Sequence, residues 1–242
     1  MFLLVRIIMN KTNKFQIHNV KSIELDTIQF DKLYKTANGI IKAIVKYNGK
    51  QFLIRTPVLT LGSDIIKSGE DYYIDLIIED NEPQVRDKNR KNKRSNGLLE
   101  LIKNIDYLAI SEIYENGQLW YEQNTDPNLI QIEKDYIPTI KLSTLNDSIQ
   151  SLKLKVNSAN IEFYDSDNVA VPYQLLKKGY TSTALLRLSQ IYKENNHFWA
   201  DWEILQLKTD IPHHIFTGCQ LTDVNISSEE EEEAIYEDDN FY

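Results

Sequence analysis

The chain has 242 residues, enough to bury a real core, and its 42% hydrophobic and 10% aromatic content excludes a wholly disordered polypeptide. Its formal charge of -9 is unevenly placed: nine of the 36 acidic residues lie from Asp223 onward, where there is no Lys or Arg, so residues 1–222 hold 27 groups of each sign. The acidic total therefore does not exclude a polyanionic partner for the body.

The opening "MFLLVRIIMN" is apolar, but Arg6 interrupts it and it is far shorter than the ~20 residues of a membrane span. It reads as a buried first strand or as an extension ahead of Met9, without membrane insertion. Most of the remaining chain has the period-two alternation of β-strands. In "GIIKAIVKYNGKQFLIRTP", Asn48-Gly49 joins two alternating runs, the strongest short hairpin signal because both turn positions need positive φ. With Ile41, Ala43, Val45, Tyr47, Phe52 and Ile54 turned inward, Lys42, Lys46 and Arg55 fall on one outer surface. A third strand, "YYIDLII", covers Tyr72 to Ile78. The stretch "RDKNRKNKR" has no apolar group with which to pack and is expected as an exposed loop.

Leu98, Leu101, Ile102, Ile105 and Leu108 then have helical spacing, beginning after Ser95-Asn96 and ending by Gly117. This stripe predicts one helix packed on a sheet or barrel end. A middle region, about 118–172, holds short strand-like runs such as "LKLKVNSANIEFY". Finally "STALLRLSQIYKENNHFWADWEILQLK" predicts two longer strands joined by "KENN". The acidic segment from Asp223 cannot offset its ordering entropy and is expected to be disordered.

Signatures of catalysis are sparse. No two of the eight glycines lie within three residues of each other, and no Gly-Lys-Ser/Thr occurs, which removes the dinucleotide fingerprint and the phosphate loop. The four histidines include no His-Glu-x-x-His, and the adjacent His213-His214 beside Cys219 would point to opposite faces of a strand, so neither a metal nor another cofactor is expected. Cys219, alone, excludes an internal disulfide and fits a reducing compartment. The carboxylates of Asp165-Ser166-Asp167 and of Glu79-Asp80-Asn81-Glu82 admit a two-metal nuclease, but both stretches read as polar turns.

Cations and rings form the better constellation. A single-stranded nucleic acid needs positive charge along its phosphates and flat rings for its bases, each stack contributing about 1 to 3 kcal/mol. The candidate cations are Lys42, Lys46, Arg55, Arg187 and the loop group Arg86, Lys88, Arg90, Lys91, Lys93 and Arg94; the candidate rings are Tyr73, Tyr192 and Trp199. Trp202 alternates with Ala200 and Ile204 and is expected in the core. The loop group also fits a nuclear-import signal or a solvated linker.

The stretch "KYNGKQFLIRTPVLTLG", with Thr56-Pro57 leading to Gly62, and the late "FWADWEILQLK" resemble the OB-fold single-stranded DNA-binding proteins of large nucleocytoplasmic DNA viruses. Those in turn look like phage replication proteins whose acidic tail ends in an aromatic residue, as Phe241 and Tyr242 do here. The resemblance implies a mainly β chain: an N-terminal extension (1–22), an OB barrel (23–222) with one capping helix and a β-rich insertion at about 118–172, and a disordered acidic tail (223–242). It implies a non-enzymatic protein that coats single-stranded DNA at a host cytoplasmic replication site. Its tail would compete with DNA and, through Phe241 and Tyr242, contact replication partners such as a polymerase or primase-helicase; homodimerisation stays open. At Arg55 the family pattern has Gln, a departure that bears on this residue's role. The rival reading is a protein-interaction scaffold with a solubilising tail.

Overall fold

The computed structural model describes residues 15–68, 71–79, 92–123, 127–142, 149–156 and 161–212. The chain divides into two units, Met1–Ile211 and Pro212–Tyr242, and every element named here belongs to the first. The apolar opening, most of the basic loop (Arg86, Lys88, Arg90, Lys91) and the acidic tail with Phe241 and Tyr242 lie outside the described residues.

Strands β1 (Ile17–Asn19), β2 (Ile28–Phe30), β3 (Tyr34–Lys35), β4 (Ile41–Tyr47), β5 (Lys50–Arg55), β6 (Leu59–Leu61), β7 (Ile66–Ser68) and β8 (Asp71–Glu79) precede the helices α1 (Asn92–Glu115), α2 (Gly117–Tyr121) and α3 (Leu129–Asp135). They are followed by β9 (Ile140–Leu142), β10 (Ile149–Val156), β11 (Glu162–Tyr164), β12 (Thr181–Glu194) and β13 (His197–Thr209). The Asn48-Gly49 turn forms as expected, with φ of 50° and 71° at the two positions.

The barrel closes through the ring β12–β6–β8–β10–β13–β12; all its contacts are antiparallel except β10 with β13, which is parallel. This is a five-stranded OB-type barrel, and the chain is mainly β. Its make-up differs from the sequence expectation in two respects. First, β4 and β5 do not supply two successive staves. Both pair with the same edge of β12, β4 through Gln190–Lys193 and β5 through Leu185–Leu188, and β6 continues along that edge at Thr181–Ser182. The first stave is thus one interrupted strand from which the Asn-Gly hairpin projects, because hairpin chemistry fixes the turn but not which outer edges stay free. Second, the stretch expected as an insertion contains β10, which is barrel wall: its buried Leu152, Leu154 and Val156 alternate with outward Lys153 and Lys155.

Two residues of the Thr56-to-Gly62 stretch have structural roles. Thr56, buried, exchanges bonds with Ala184, its N–H donating to the Ala184 carbonyl and its hydroxyl accepting from the Ala184 N–H, both at 2.9 Å. That clips the β5–β6 break to β12. Gly62 runs so close to β8 that a Cβ would lie 3.0 Å from Ile77 Cγ1.

The core is one cluster in which Phe52, Ile54, Ile74, Leu76, Leu186, Leu188, Trp202 and Ile204 fill the barrel and Leu98, Leu101, Ile102 and Ile105 of α1 cover it. The predicted helical stripe is therefore the capping face. It begins on helix that starts at Asn92, earlier than Ser95-Asn96 suggested, and α2 and α3 add two short helices that the sequence pattern did not predict.

Candidate nucleic-acid interface

Outward residues of four adjacent barrel strands meet on one face. On β13 the alternation is regular near its start: Phe198, Ala200 and Trp202 are buried, so Trp199 and Asp201 point out. On β12 it is not. Leu186 and Leu188 are buried, and strict alternation would bury Gln190 and Tyr192 as well. A bulge between Leu188 and Gln190, where Ser189 is the extra residue against β13, reverses the parity, so that Ile191 enters the core and Tyr192 emerges. β8 contributes Tyr73, and β10 contributes Lys153 and Lys155.

Together with Lys141, Ile66, Ile40 and the segment Ile137–Thr139, these side chains line a groove of about 830 Å³. Register sets the order of groups across it. Trp199 faces Tyr192, Tyr192 faces Lys42, and Lys42 faces Tyr34, which makes one row over β13, β12, β4 and β3. A second row runs Tyr73, Lys155, Glu203, Arg187 over β8, β10, β13 and β12.

Several contacts fix the first row. The rings of Tyr192 and Trp199 are stacked, 5.5 Å between centroids with 19° between planes. The Lys42 ammonium sits 4.3 Å from the Tyr192 ring centre and donates to its hydroxyl at 3.2 Å, and the Gln190 amide donates to the same hydroxyl at 2.6 Å. On the far side, the Lys153 ammonium lies 5.2 Å from the Tyr73 ring centre.

The wall over the groove is held from the helix side. Asp106 of α1 is buried and accepts from the Tyr136 hydroxyl (2.8 Å), the Thr139 N–H (2.9 Å) and the Thr139 hydroxyl (2.6 Å), bracketing Ile137 and Pro138. Burial pushes its carboxyl above the ordinary carboxylate range, against the pull of those three donors. The Ile137 N–H then donates to the Phe198 carbonyl at 2.8 Å, tying the wall to the strand just before Trp199.

Two acidic residues, Glu194 and Asp201, line the groove, and Asp201 is the more buried of them. Burial raises its pKa, opposed by donors from the Ser189 hydroxyl at 2.8 Å and the Gln190 amide at 3.3 Å.

Of the residues singled out in the sequence, Tyr73, Tyr192 and Trp199 line this groove and Lys42 joins them through Tyr192. Lys46 and Arg187 border a neighbouring hollow of about 420 Å³; Lys46 is 2.7 Å from Asp31, and Arg187 pairs with Glu203. Arg55 is exposed and lines a separate hollow with Tyr164 and Lys208. Lys93 and Arg94 fall on the first turn of α1, and their side chains lie outside the described part of the structure. Lys141, Lys153, Lys155 and Tyr34 were missed. The lysine alternation in "LKLKV" was the available signal, since period two on a strand with buried leucines places both ammonium groups outside. Asp165, considered for a nuclease, uses its carboxylate to accept from the N–H groups of Asp167 (2.9 Å) and Val169 (2.8 Å), which closes a turn.

No protein-family model and no curated protein matches the chain. Among solved structures, the single-stranded DNA-binding protein encoded by bacteriophage T7 is similar with a TM-score of 0.42 at 15% identity, over 77% of this chain and 100% of that one. That of bacteriophage Enc34 in complex with single-stranded DNA gives 0.38 at 10% identity, over 73% of this chain and 88% of that one. A C-terminal truncation of the Enc34 protein gives 0.40 at 10% identity, over 78% of this chain and 98% of that one. These are phage proteins rather than proteins of nucleocytoplasmic viruses.

Proposed function

We propose that the protein binds single-stranded DNA in the groove between Tyr73 and Trp199, without catalysis, and coats it during replication, recombination or repair. The observation that carries this reading is the position of the groove. It lies on the outer face of the second and third barrel strands, β8 and β10, beside the β12–β13 hairpin, which is the face OB folds use for oligonucleotides. Its lining has the two things such a ligand needs, ring surfaces at Tyr73 and at Trp199, the latter stacked on Tyr192, and ammonium groups at Lys141, Lys153 and Lys155. Lys42 extends the cationic side, and Arg55, Lys46, Arg187 and the basic stretch 86–94, whose last residues begin α1, supply further phosphate contacts outside the groove. The acidic segment from Asp223 competes with DNA for these cations and offers Phe241 and Tyr242 to replication partners. The resemblance to viral replication proteins supports a replication site in an infected cell.

Titration of a fluorescently labelled oligonucleotide across a salt series tests the reading. Affinity is expected to fall steeply as salt rises, with each phosphate contact adding about 0.7 to the log–log slope for a single strand. The variant K153M/K155M should therefore flatten the slope by roughly 1.4. Absence of binding at low salt, by both the full chain and a truncation ending at Thr222, would overturn the proposal.

A further inference from the structure

We infer that Tyr192 is a positioning residue and not a stacking platform: held between Lys42 and Trp199, it aims an ammonium group at a phosphate and leaves the far face of Trp199 as the ring that takes a base. The inference rests on the DNA-binding reading of the groove and assigns its parts. β4 and β13 pair with opposite edges of β12, so Lys42 and Trp199 reach Tyr192 from opposite sides. The indole is stacked on it at 5.5 Å and the ammonium covers it at 4.3 Å, so a base would have to displace one or the other to reach the phenol.

The hydroxyl completes the fixture. It accepts from Lys42 at 3.2 Å and from Gln190 at 2.6 Å, while Gln190 in turn accepts from the Tyr34 hydroxyl at 3.4 Å. A flexible lysine, which would otherwise lose much of its attraction to water and rotamer freedom, is thereby pre-set in one place. Trp199 is itself braced on the side facing Tyr192, so its orientation depends on that ring. Trp199 also lines the groove, together with the Ile137–Thr139 wall bonded beside it to Phe198.

The test combines oligonucleotide titrations over a salt series with tryptophan fluorescence. Trp120 and Trp202 are 0% and 5% exposed, so quenching by stacked bases reports on Trp199. W199L should weaken binding by between about fivefold and about 150-fold and abolish the quench. K42M should lower the salt slope by about 0.7. Y192L is then expected to copy both defects although Lys42 and Trp199 remain: a slope lower by about 0.7 and a diminished quench at saturation. Y192F, which keeps the ring beside Trp199 but removes the hydroxyl that accepts from Lys42 and Gln190, should retain the quench and lose part of the slope. If thermal melting shows Y192L unfolded, Y192M takes its place, filling similar space without a ring.

A Y192L protein that loses affinity with slope and quench intact would show Tyr192 to be a platform in its own right, and one that binds like wild type would show it to be idle. Either overturns the inference while leaving the DNA-binding reading standing. Wild-type protein that does not bind at low salt would overturn both.

Discussion

Asp201 holds a carboxylate in the groove floor where a phosphate chain would pass, and its raised pKa makes this position sensitive to pH. Burial is the main cause and neighbouring Glu203 adds to it, while Ser189, Gln190 and Lys155 favour the anion. The folded state therefore binds this proton more tightly than the unfolded state does. Its contribution to stability is fully present below the unfolded carboxylate pKa and is lost as pH rises through the higher folded value. DNA binding follows the same sign. As pH falls through the raised pKa the carboxyl becomes neutral, repulsion of phosphate ceases, and binding tightens. Asp201→Asn should bind roughly threefold to tenfold more tightly at about pH 8 and lose its share of the tightening that follows acidification to a pH below the raised carboxyl pKa. Oligonucleotide titrations of both proteins at the two pH values check this; equal affinity at the higher pH would place the carboxylate off the DNA path.

The short helix α2 supports the groove from behind. Trp120 of α2, fully buried, meets Phe198 edge to face at 5.7 Å, and the Lys193 ammonium donates to the Trp120 carbonyl at 2.8 Å, so α2 fixes both strands of the β12–β13 hairpin. Gly117 at its start is required by close approach: a Cβ there would stand 2.1 Å from Pro127 Cδ. Gly117→Ala should destabilise the protein by about 1 to 3 kcal/mol, because overpacking outweighs the small helix-propensity gain at a first-turn position. A urea unfolding curve with an unchanged midpoint would refute this. The sequence marked Gly117 as a helix end, and α1 does stop at Glu115, but the partner that forbids a side chain, Pro127, comes from a contact that no local pattern encodes. The same division holds elsewhere. Alternation placed Phe52, Ile54 and Trp202 in the core and the Asn-Gly turn between β4 and β5, since those depend on neighbours in sequence. The shared edge of β12, the bulge that turns Tyr192 outward and the recruitment of β10 to the barrel depend on pairing between distant segments. The candidate site was thus legible as a set of residue types, and partly as faces, while its assembly into one groove was not.

For the whole molecule the governing quantity is the separation of charge along the chain. Residues 1–222 are formally neutral, and the segment from Asp223 carries nine negative charges with no positive one. On the proposed function, a polyanion tethered to a DNA-binding domain would compete at an effective concentration set by its linker, on the order of millimolar for a short flexible connection. Such competition is electrostatic, so it should be strongest where screening is weakest, at ionic strengths for which the Debye length is about 10 Å or more. Truncation after Thr222 is accordingly expected to tighten oligonucleotide binding at low salt and to make little difference near 1 M salt, where the Debye length is about 3 Å. The salt slope of the truncated protein should be steeper, because the full chain loses its internal competitor and its DNA contacts together as salt rises. Replacing the five consecutive glutamates from Glu229 by glutamine separates charge from length: it should reproduce most of the truncation's effect if competition is electrostatic. Equal affinity of full-length and truncated proteins at every salt concentration would assign the acidic segment to solubility and partner contact alone.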